Sequence, residues 1–174
     1  MPQVYFPNPA DVLSHDGGKT VRQRIVESLV DEARNMVDGP NGDQPIWLNV
    51  FSGDASDLEN NSAPFLSFEE SEEQTIESYG GCTIKELTVI LTFRWPGAKG
   101  LDANAYYKYY LGRLQKTFLP LHEDDTRYPY LRDIREESNA PSFLTQDDDF
   151  PAGSLVMILQ YSHARNDPYR LAGE

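Results

Sequence analysis

One segment of the sequence, residues 86–95, constrains the fold more than any other. In "ELTVILTFRW", every second residue from Leu87 onward is large and apolar, so these side chains lie on one side of an extended strand. The five apolar positions are Leu87, Val89, Leu91, Phe93 and Trp95. Such a side must be buried against other elements, so we expect a sheet with one covered face.

Two helices are predicted to supply that cover. From Thr20 the apolar residues recur at helical spacing until Gly39-Pro40 ends the pattern. The predicted core positions of this helix are Val21, Ile25, Leu29, Ala33 and Met36. A second helix begins at Asp102, a favourable N-cap. Its predicted core positions are Ala103, Tyr107, Tyr110, Leu111, Leu114 and Phe118.

Further strands complete the predicted fold. Ile46–Phe51 has strand composition, Arg132–Ser138 is compatible with a short polar strand, and Leu155–Tyr161 is apolar on both faces. The last of these is therefore expected to be central and covered on both sides. We predict an α+β fold: a mostly antiparallel or mixed sheet of four to five strands, two main helices on one face, and a long acidic hairpin. Residues 1–19 are predicted to be an extended arm, and 20–174 a single domain.

Charge restricts the partners of the chain. The formal net charge is −13, and no lysine or arginine lies between Arg34 and Lys85. A protein that grips DNA needs cations that displace counterions, so such a role is disfavoured. Five glutamates of this interval are candidate contact residues: Glu69, Glu70, Glu72, Glu73 and Glu77. The simpler interpretation is a solvated acidic loop or hairpin.

The string "SHDGGKT" at 14–20 ends like a phosphate-binding loop, but its context does not support one. The signature requires a glycine five residues before Gly18, where Leu13 stands, and a buried strand that feeds the loop. A capping box explains the same residues, because Thr20 and Gln23 have the required spacing at the start of the first helix.

Other catalytic or metal-binding patterns are weak. Ser14, His15 and Asp16 are adjacent, whereas a catalytic triad converges from separate segments. The acidic runs 123–125 and 147–149 lack the ligand spacing of a calcium loop. The lone Cys82 follows two glycines and lies close to Glu86, with no basic neighbour to stabilise a thiolate, so we expect it to be inert. We therefore assign no catalytic, cofactor-binding or metal-binding residue, although a pair of carboxylates in a small hydrolase remains open.

The second helix carries four tyrosines within five positions, 106, 107, 109 and 110. Four rings at these positions point all round a helix, so some must face outward. Exposed aromatic area is typical of a surface that a partner covers. This pattern favours a protein whose role is to assemble, with Tyr106 and Tyr109 as candidate contact residues.

The order of these elements resembles that of the tail terminator (tail completion) proteins of long-tailed bacteriophages. The resemblance covers the chain from about residue 20 and is carried by loose patterns: the capped first helix, "PIWLNVFSG", "ELTVILTFRW", "NAYYKYYLGRLQKTF" and "SLVMILQYSHARNDPY". It implies a subunit of a hexameric ring that caps the tail tube, joins it to the head-side connector or neck protein and, in contractile phages, touches the sheath. It implies no enzyme activity and no cofactor.

The resemblance also implies a location and a partner list. The protein would be made in the host cytoplasm and reside in the tail-neck region of the virion, with DNA only passing through the ring and no membrane contact. The five glutamates would face the channel or a neighbouring ring, where carboxylates repel phosphates; a solvent-facing position on the outer rim is the alternative. Other readings are a neck or head-completion protein, a small carboxylate-based hydrolase, and a monomeric module that binds a basic partner.

Overall fold

The computed structural model describes residues 18–53, 64–97, 102–142 and 151–172. Within these ranges two α-helices, α1 (Val21–Arg34) and α2 (Ala103–Phe118), accompany seven strands. The strands are β1 (Val37–Asp38), β2 (Gln44–Pro45), β3 (Asn49–Ser52), β4 (Phe65–Tyr79), β5 (Cys82–Arg94), β6 (Leu131–Ser142) and β7 (Ala152–Ala164). A short 3-10 helix, Leu119–Glu123, follows α2.

The five longer strands form one mixed sheet in the order β3-β4-β5-β7-β6. β3 is parallel to β4, and every other neighbouring pair is antiparallel. β1 and β2 pair separately as a two-stranded antiparallel ribbon. The predicted α+β class, with two helices and a mixed sheet of up to five strands, is confirmed.

The start of α1 follows the predicted capping box. The Thr20 hydroxyl accepts a hydrogen bond of 3.1 Å from the Gln23 backbone N–H, and the Thr20 N–H donates to the Gln23 side chain at 2.8 Å. These two bonds satisfy groups at the helix terminus that have no intrahelical partner. Lys19 donates to Glu27 at 2.6 Å. Most of the predicted arm, residues 1–17, lies outside the described residues.

Both helices pack on the same face of the sheet. The predicted apolar side of β5 is buried, and it belongs to one core cluster with the buried residues of α1 and α2. All predicted core positions of the two helices are buried. The prediction missed Val26 and Val30 of α1, which are also buried because the stripe that α1 turns toward the sheet is wider than the residues chosen.

Two details differ from the sequence prediction, and a third concerns the acidic segment. The strand expected at 46–51 begins only at Asn49, since Ile46 instead donates its N–H to the Met36 carbonyl at 3.0 Å. The acidic segment is one long strand, β4, which the turn Gly80-Gly81 joins to its antiparallel neighbour β5, and the long acidic hairpin stays a prediction. The apolar strand β7 lies inside the sheet, but double cover is wrong among these residues: Val156 and Ile158 are only half-buried on the face opposite the helices.

Candidate assembly surfaces

α2 is fixed to the sheet by aromatic contacts along its buried stripe. Asp102 accepts hydrogen bonds from the backbone N–H groups of Asn104 and Ala105, which caps the helix as predicted. The ring of Tyr107 stacks on Phe93 with centroids 5.9 Å apart. The ring of Tyr110 lies 5.1 Å from Trp47 and 5.6 Å from Trp95. Because one face of α2 is anchored in this way, the opposite face is presented in a fixed orientation.

That opposite face carries the two remaining tyrosines. Tyr106 is 39% exposed and Tyr109 is 42% exposed. The Tyr109 hydroxyl donates a hydrogen bond to the Asp38 carboxylate, which holds the ring in place beside β1. Arg113 also reaches β1, where its guanidinium donates to the Val37 carbonyl at 2.6 Å. The structure therefore leaves Tyr106 and Tyr109 at the surface, while Tyr107 and Tyr110 are in the core.

The same face is positively charged in a strongly acidic protein. The sequence of α2, ANAYYKYYLGRLQKTF, contains no aspartate or glutamate, whereas the whole chain has a net charge of −13. Positions 106, 109, 113 and 116 have the spacing of neighbours along one side of a helix. We call this surface the α2 face; it consists of this row, Tyr106, Tyr109, Arg113 and Lys116, together with Lys108, which lies outside the row but is also exposed on α2. Asp38 contributes one opposing charge at its margin.

β4 provides a second, different surface. β3 pairs only with Phe65–Phe68, so from Glu69 to Tyr79 the strand has a neighbour on one side only among the described residues. The strand ends at the turn Gly80-Gly81, and both glycines have positive φ. Near this turn Ile76 is 48% exposed and Tyr79 is 50% exposed. We call residues 69–79 the β4 outer segment.

The five candidate glutamates of β4 divide into two groups. Glu70 and Glu73 turn toward α1, where Arg22 forms ion pairs with both of them. The others, Glu69, Glu72 and Glu77, are exposed and form no ion pair within the described part of the chain. The structure thus leaves three of the five available for an external contact and commits two to intramolecular bonds.

Glu73 is the centre of a compact charge cluster. Its carboxylate accepts hydrogen bonds from Lys85 at 2.6 Å, from Arg22 at 2.8 Å and from the Tyr161 hydroxyl at 2.9 Å. Burial alone would raise the pKa of this carboxyl, but the bonds from Lys85, Tyr161 and Arg22 outweigh it and hold the pKa below its usual value. Burial, together with the bond to Glu73, raises the pKa of Tyr161. Glu73 is therefore held as a carboxylate.

This cluster resembles a structural brace more than an acid–base centre. A general acid or base works best with a pKa near the working pH. In the part of the chain that the structure describes, two carboxyl groups have shifted pKa values, Glu73 and Asp38, and both are shifted downward. For Asp38 the hydrogen bond from Tyr109 is the main cause, followed by the Gly39 N–H. All three donors to Glu73 come from the chain itself and occupy three of the roughly four acceptor positions of a carboxylate.

An open groove of about 490 Å³ lies between α1, Ser52 at the end of β3 and Glu70 of β4. Its floor includes Val26 and Val30, and its walls include several charged side chains. Four of these side chains already form two exposed ion pairs within α1 or beside it, Lys19 with Glu27 and Arg34 with Asp31. In the described ranges no three side chains of His, Cys, Asp or Glu gather closely enough to hold a metal ion. The predicted acidic run 147–149 lies outside those ranges.

Sequence reasoning missed two features of these surfaces. It did not link Glu73 to Arg22, Lys85 and Tyr161, because these residues lie far apart in the chain and meet only through the sheet register. The absence of acidic residues from α2 was visible in the sequence and was a usable signal. The expectation that Cys82 has no basic neighbour is wrong, since the Arg132 guanidinium lies 3.6 Å from its buried sulfur.

A comparison with protein-family models and with curated proteins found no match for this chain. No described helix is both long enough and apolar enough to cross a bilayer.

Proposed function

We propose that this chain is a structural protein that assembles into a ring, in the role of a tail terminator of a long-tailed bacteriophage. In that role the ring, expected to be a hexamer, closes the end of the tail tube and meets the head-side connector. The α+β fold and the order of its elements are compatible with the resemblance found in the sequence. The chain contributes surfaces and shape to this function, and no covalent chemistry.

One observation carries the proposal: the subunit presents two different aromatic surfaces at opposite ends of β5. Tyr79 precedes the turn at the Cys82 end of the strand, while Tyr107 anchors α2 on Phe93 near the other end. The eleven steps along the strand from Cys82 to Phe93 span about 35 Å at the usual rise of a strand. Two unlike surfaces on one subunit support head-to-tail contacts, which close into rings or extend into filaments.

The overall charge fits the passage of DNA through such a ring. With a net charge of −13, the subunit repels phosphates rather than binding them. Contact residues can therefore hold the ring together while DNA slides past without being retained.

The proposal is tested first by the mass of the native protein and by negative-stain images. We expect a closed ring with a central hole, and binding of that ring to the ends of purified tail tubes. Binding to the portal assembly but not to tubes would instead identify a neck or head-completion protein. A monomer at high concentration would contradict the proposal altogether.

A second test uses the exposed tyrosines. The double change Tyr106→Ser and Tyr109→Ser should reduce the assembly state while the subunit stays folded, because the anchoring face of α2 is untouched. The matched control, Tyr106→Phe with Tyr109→Phe, keeps both rings and should assemble. Identical sedimentation of the serine and phenylalanine variants would show that these tyrosines are not contact residues.

A further inference from the structure

We propose that the β4 outer segment of one subunit docks on the α2 face of the next copy, as an acidic strand against a basic aromatic helix. This inference rests on the proposed ring function and names the two surfaces that meet. It also assigns the exposed glutamates of β4 to the contact between subunits, and not to the wall of the channel.

Charge complementarity is the first argument. β4 contains no lysine or arginine, and Glu69, Glu72 and Glu77 are exposed on it. α2 contains no acidic residue, and Lys108 and Lys116 are exposed on it. Within the described ranges none of these five side chains forms an ion pair in its own subunit. Opposite fields on two surfaces steer association and fix the register of a contact.

Apolar complementarity is the second argument. The β4 outer segment exposes Ile76 and Tyr79, and the α2 face exposes Tyr106 and Tyr109. These are four of the six large hydrophobic side chains that are exposed among the described residues. Aromatic groups surrounded by charged residues are the usual composition of a contact with an apolar centre and a polar rim.

Geometry excludes the alternative in which both surfaces meet within one subunit. The β4 outer segment pairs with the part of β5 from Cys82 to Ile90, whereas α2 stacks on Phe93 and Trp95 at the other end. The Arg22 ion pairs with Glu70 and Glu73 tie the inner side of β4 to α1. This brace holds the exposed glutamates in a fixed position and so reduces the conformational entropy lost on docking.

Edge-to-edge pairing of β4 with a strand of another copy is less favourable than this docking. The pairing of β4 with β5 contains irregularities at 70–73 and 75–77, which disturb the regular edge that an added strand requires. The glutamates on this edge further oppose strand addition. Side-chain contacts with a helix do not require a regular edge, so they are compatible with these irregularities.

A reciprocal charge exchange tests the proposal. Variant A carries Lys108→Glu and Lys116→Glu, and variant B carries Glu69→Lys, Glu72→Lys and Glu77→Lys. In each variant alone, like charges would face each other across every contact, so we expect self-association to weaken at least about tenfold. In an equal mixture, each A–B contact again joins opposite charges, so alternating rings of even number should form.

The readout is sedimentation velocity and native mass, with circular dichroism to show that both variants are folded. The control for the number of charges changed carries Glu123→Lys, Asp125→Lys and Glu137→Lys, which are all exposed and belong to neither surface, and it should assemble like the wild type. Recovery of rings only on mixing A with B supports the proposal. Rings from either variant alone, or no recovery on mixing, overturn it while leaving the ring function intact. A wild-type monomer contradicts both the contact and the proposed function.

Discussion

The hydroxyl of Tyr161 on β7 donates a hydrogen bond of 2.9 Å to the carboxylate of Glu73 on β4, passing over the intervening strand β5. Lys85 of β5 lies between them, opposite Tyr161 in the sheet register, and binds the same carboxylate. Arg22 adds a bond from α1. Three strands and one helix are thus joined at a single side chain near the base of the β4 outer segment.

This arrangement predicts that Glu73→Gln destabilises the protein by about 2 kcal/mol at neutral pH, because it removes charge-assisted bonds to Lys85 and Arg22. The free energy of unfolding in urea measures the loss. Glu137→Gln is the control, since Glu137 is exposed and belongs to neither contact surface, and we expect a change within about 0.5 kcal/mol. Equal effects of the two changes would show that the cluster contributes no specific stability.

The same cluster predicts a dependence of stability on acid. The folded-state pKa of Glu73 lies below its usual value of 4.5, so its stabilising contribution is present above that value and is lost as pH falls through the folded pKa. The difference in unfolding free energy between the wild type and Glu73→Gln should therefore narrow below about pH 4.5. A difference that stays constant down to acid unfolding would contradict the shifted pKa.

The environment of Tyr109 predicts a loss of stability at alkaline pH. Burial, followed by the hydrogen bond to Asp38, raises the pKa of Tyr109 from 10.0 to about 12. Its contribution to stability is therefore fully present below pH 10 and lost as pH rises through the folded value. Ultraviolet titration of the wild type against Tyr109→Phe should show one phenol that ionises near pH 12. Asp38→Asn should move that ionisation toward lower pH, and an unchanged titration would exclude the bond as a cause.

The N-cap of α1 predicts a local loss of stability. Thr20→Ala removes the hydroxyl that accepts the Gln23 N–H, and we expect a cost of about 1 kcal/mol. The adjacent change Lys19→Ala is the control, because its pair with Glu27 is largely exposed and should contribute about 0.5 kcal/mol or less. Urea unfolding of both variants separates a capping role from a general sensitivity of this terminus.

The spacing of apolar residues was sufficient to predict most of the buried positions, and the capping residues were sufficient to predict where the two helices begin. The alternation through Leu87 and Phe93 defined the covered face of β5, and the stripe through Tyr107 and Leu114 defined the buried side of α2. These predictions succeeded because burial of a strand or helix face is a local pattern with a fixed period.

Features that depend on register between distant segments were not predictable in the same way. The meeting of Glu73 with Lys85 and Tyr161 requires the pairing of β4, β5 and β7, and a shift by one residue would separate them. The sequence therefore grouped Glu70 and Glu73 with the solvent-exposed glutamates, although the structure pairs both with Arg22. The exposure of Tyr106 and Tyr109 was easier to predict, because the four tyrosines of α2 cannot all lie on its buried face.

The contact of β7 with α2 yields a final prediction, at Gly153. A Cβ added there would lie 2.5 Å from the Phe93 ring and 2.8 Å from the Tyr107 ring, and these two rings are stacked on each other. Gly153→Ala should therefore force the rings apart and cost about 2 kcal/mol of stability. Gly112→Ala is the control: it lies within α2 with no atom within 4 Å of the added Cβ, and it should stabilise the protein by up to about 1 kcal/mol.

If α2 presents its exposed face only while anchored on Phe93, Gly153→Ala should also weaken self-association measured by sedimentation, whereas Gly112→Ala should not. A destabilised Gly153→Ala variant that still associates like the wild type would show that the contact between copies does not depend on this anchor.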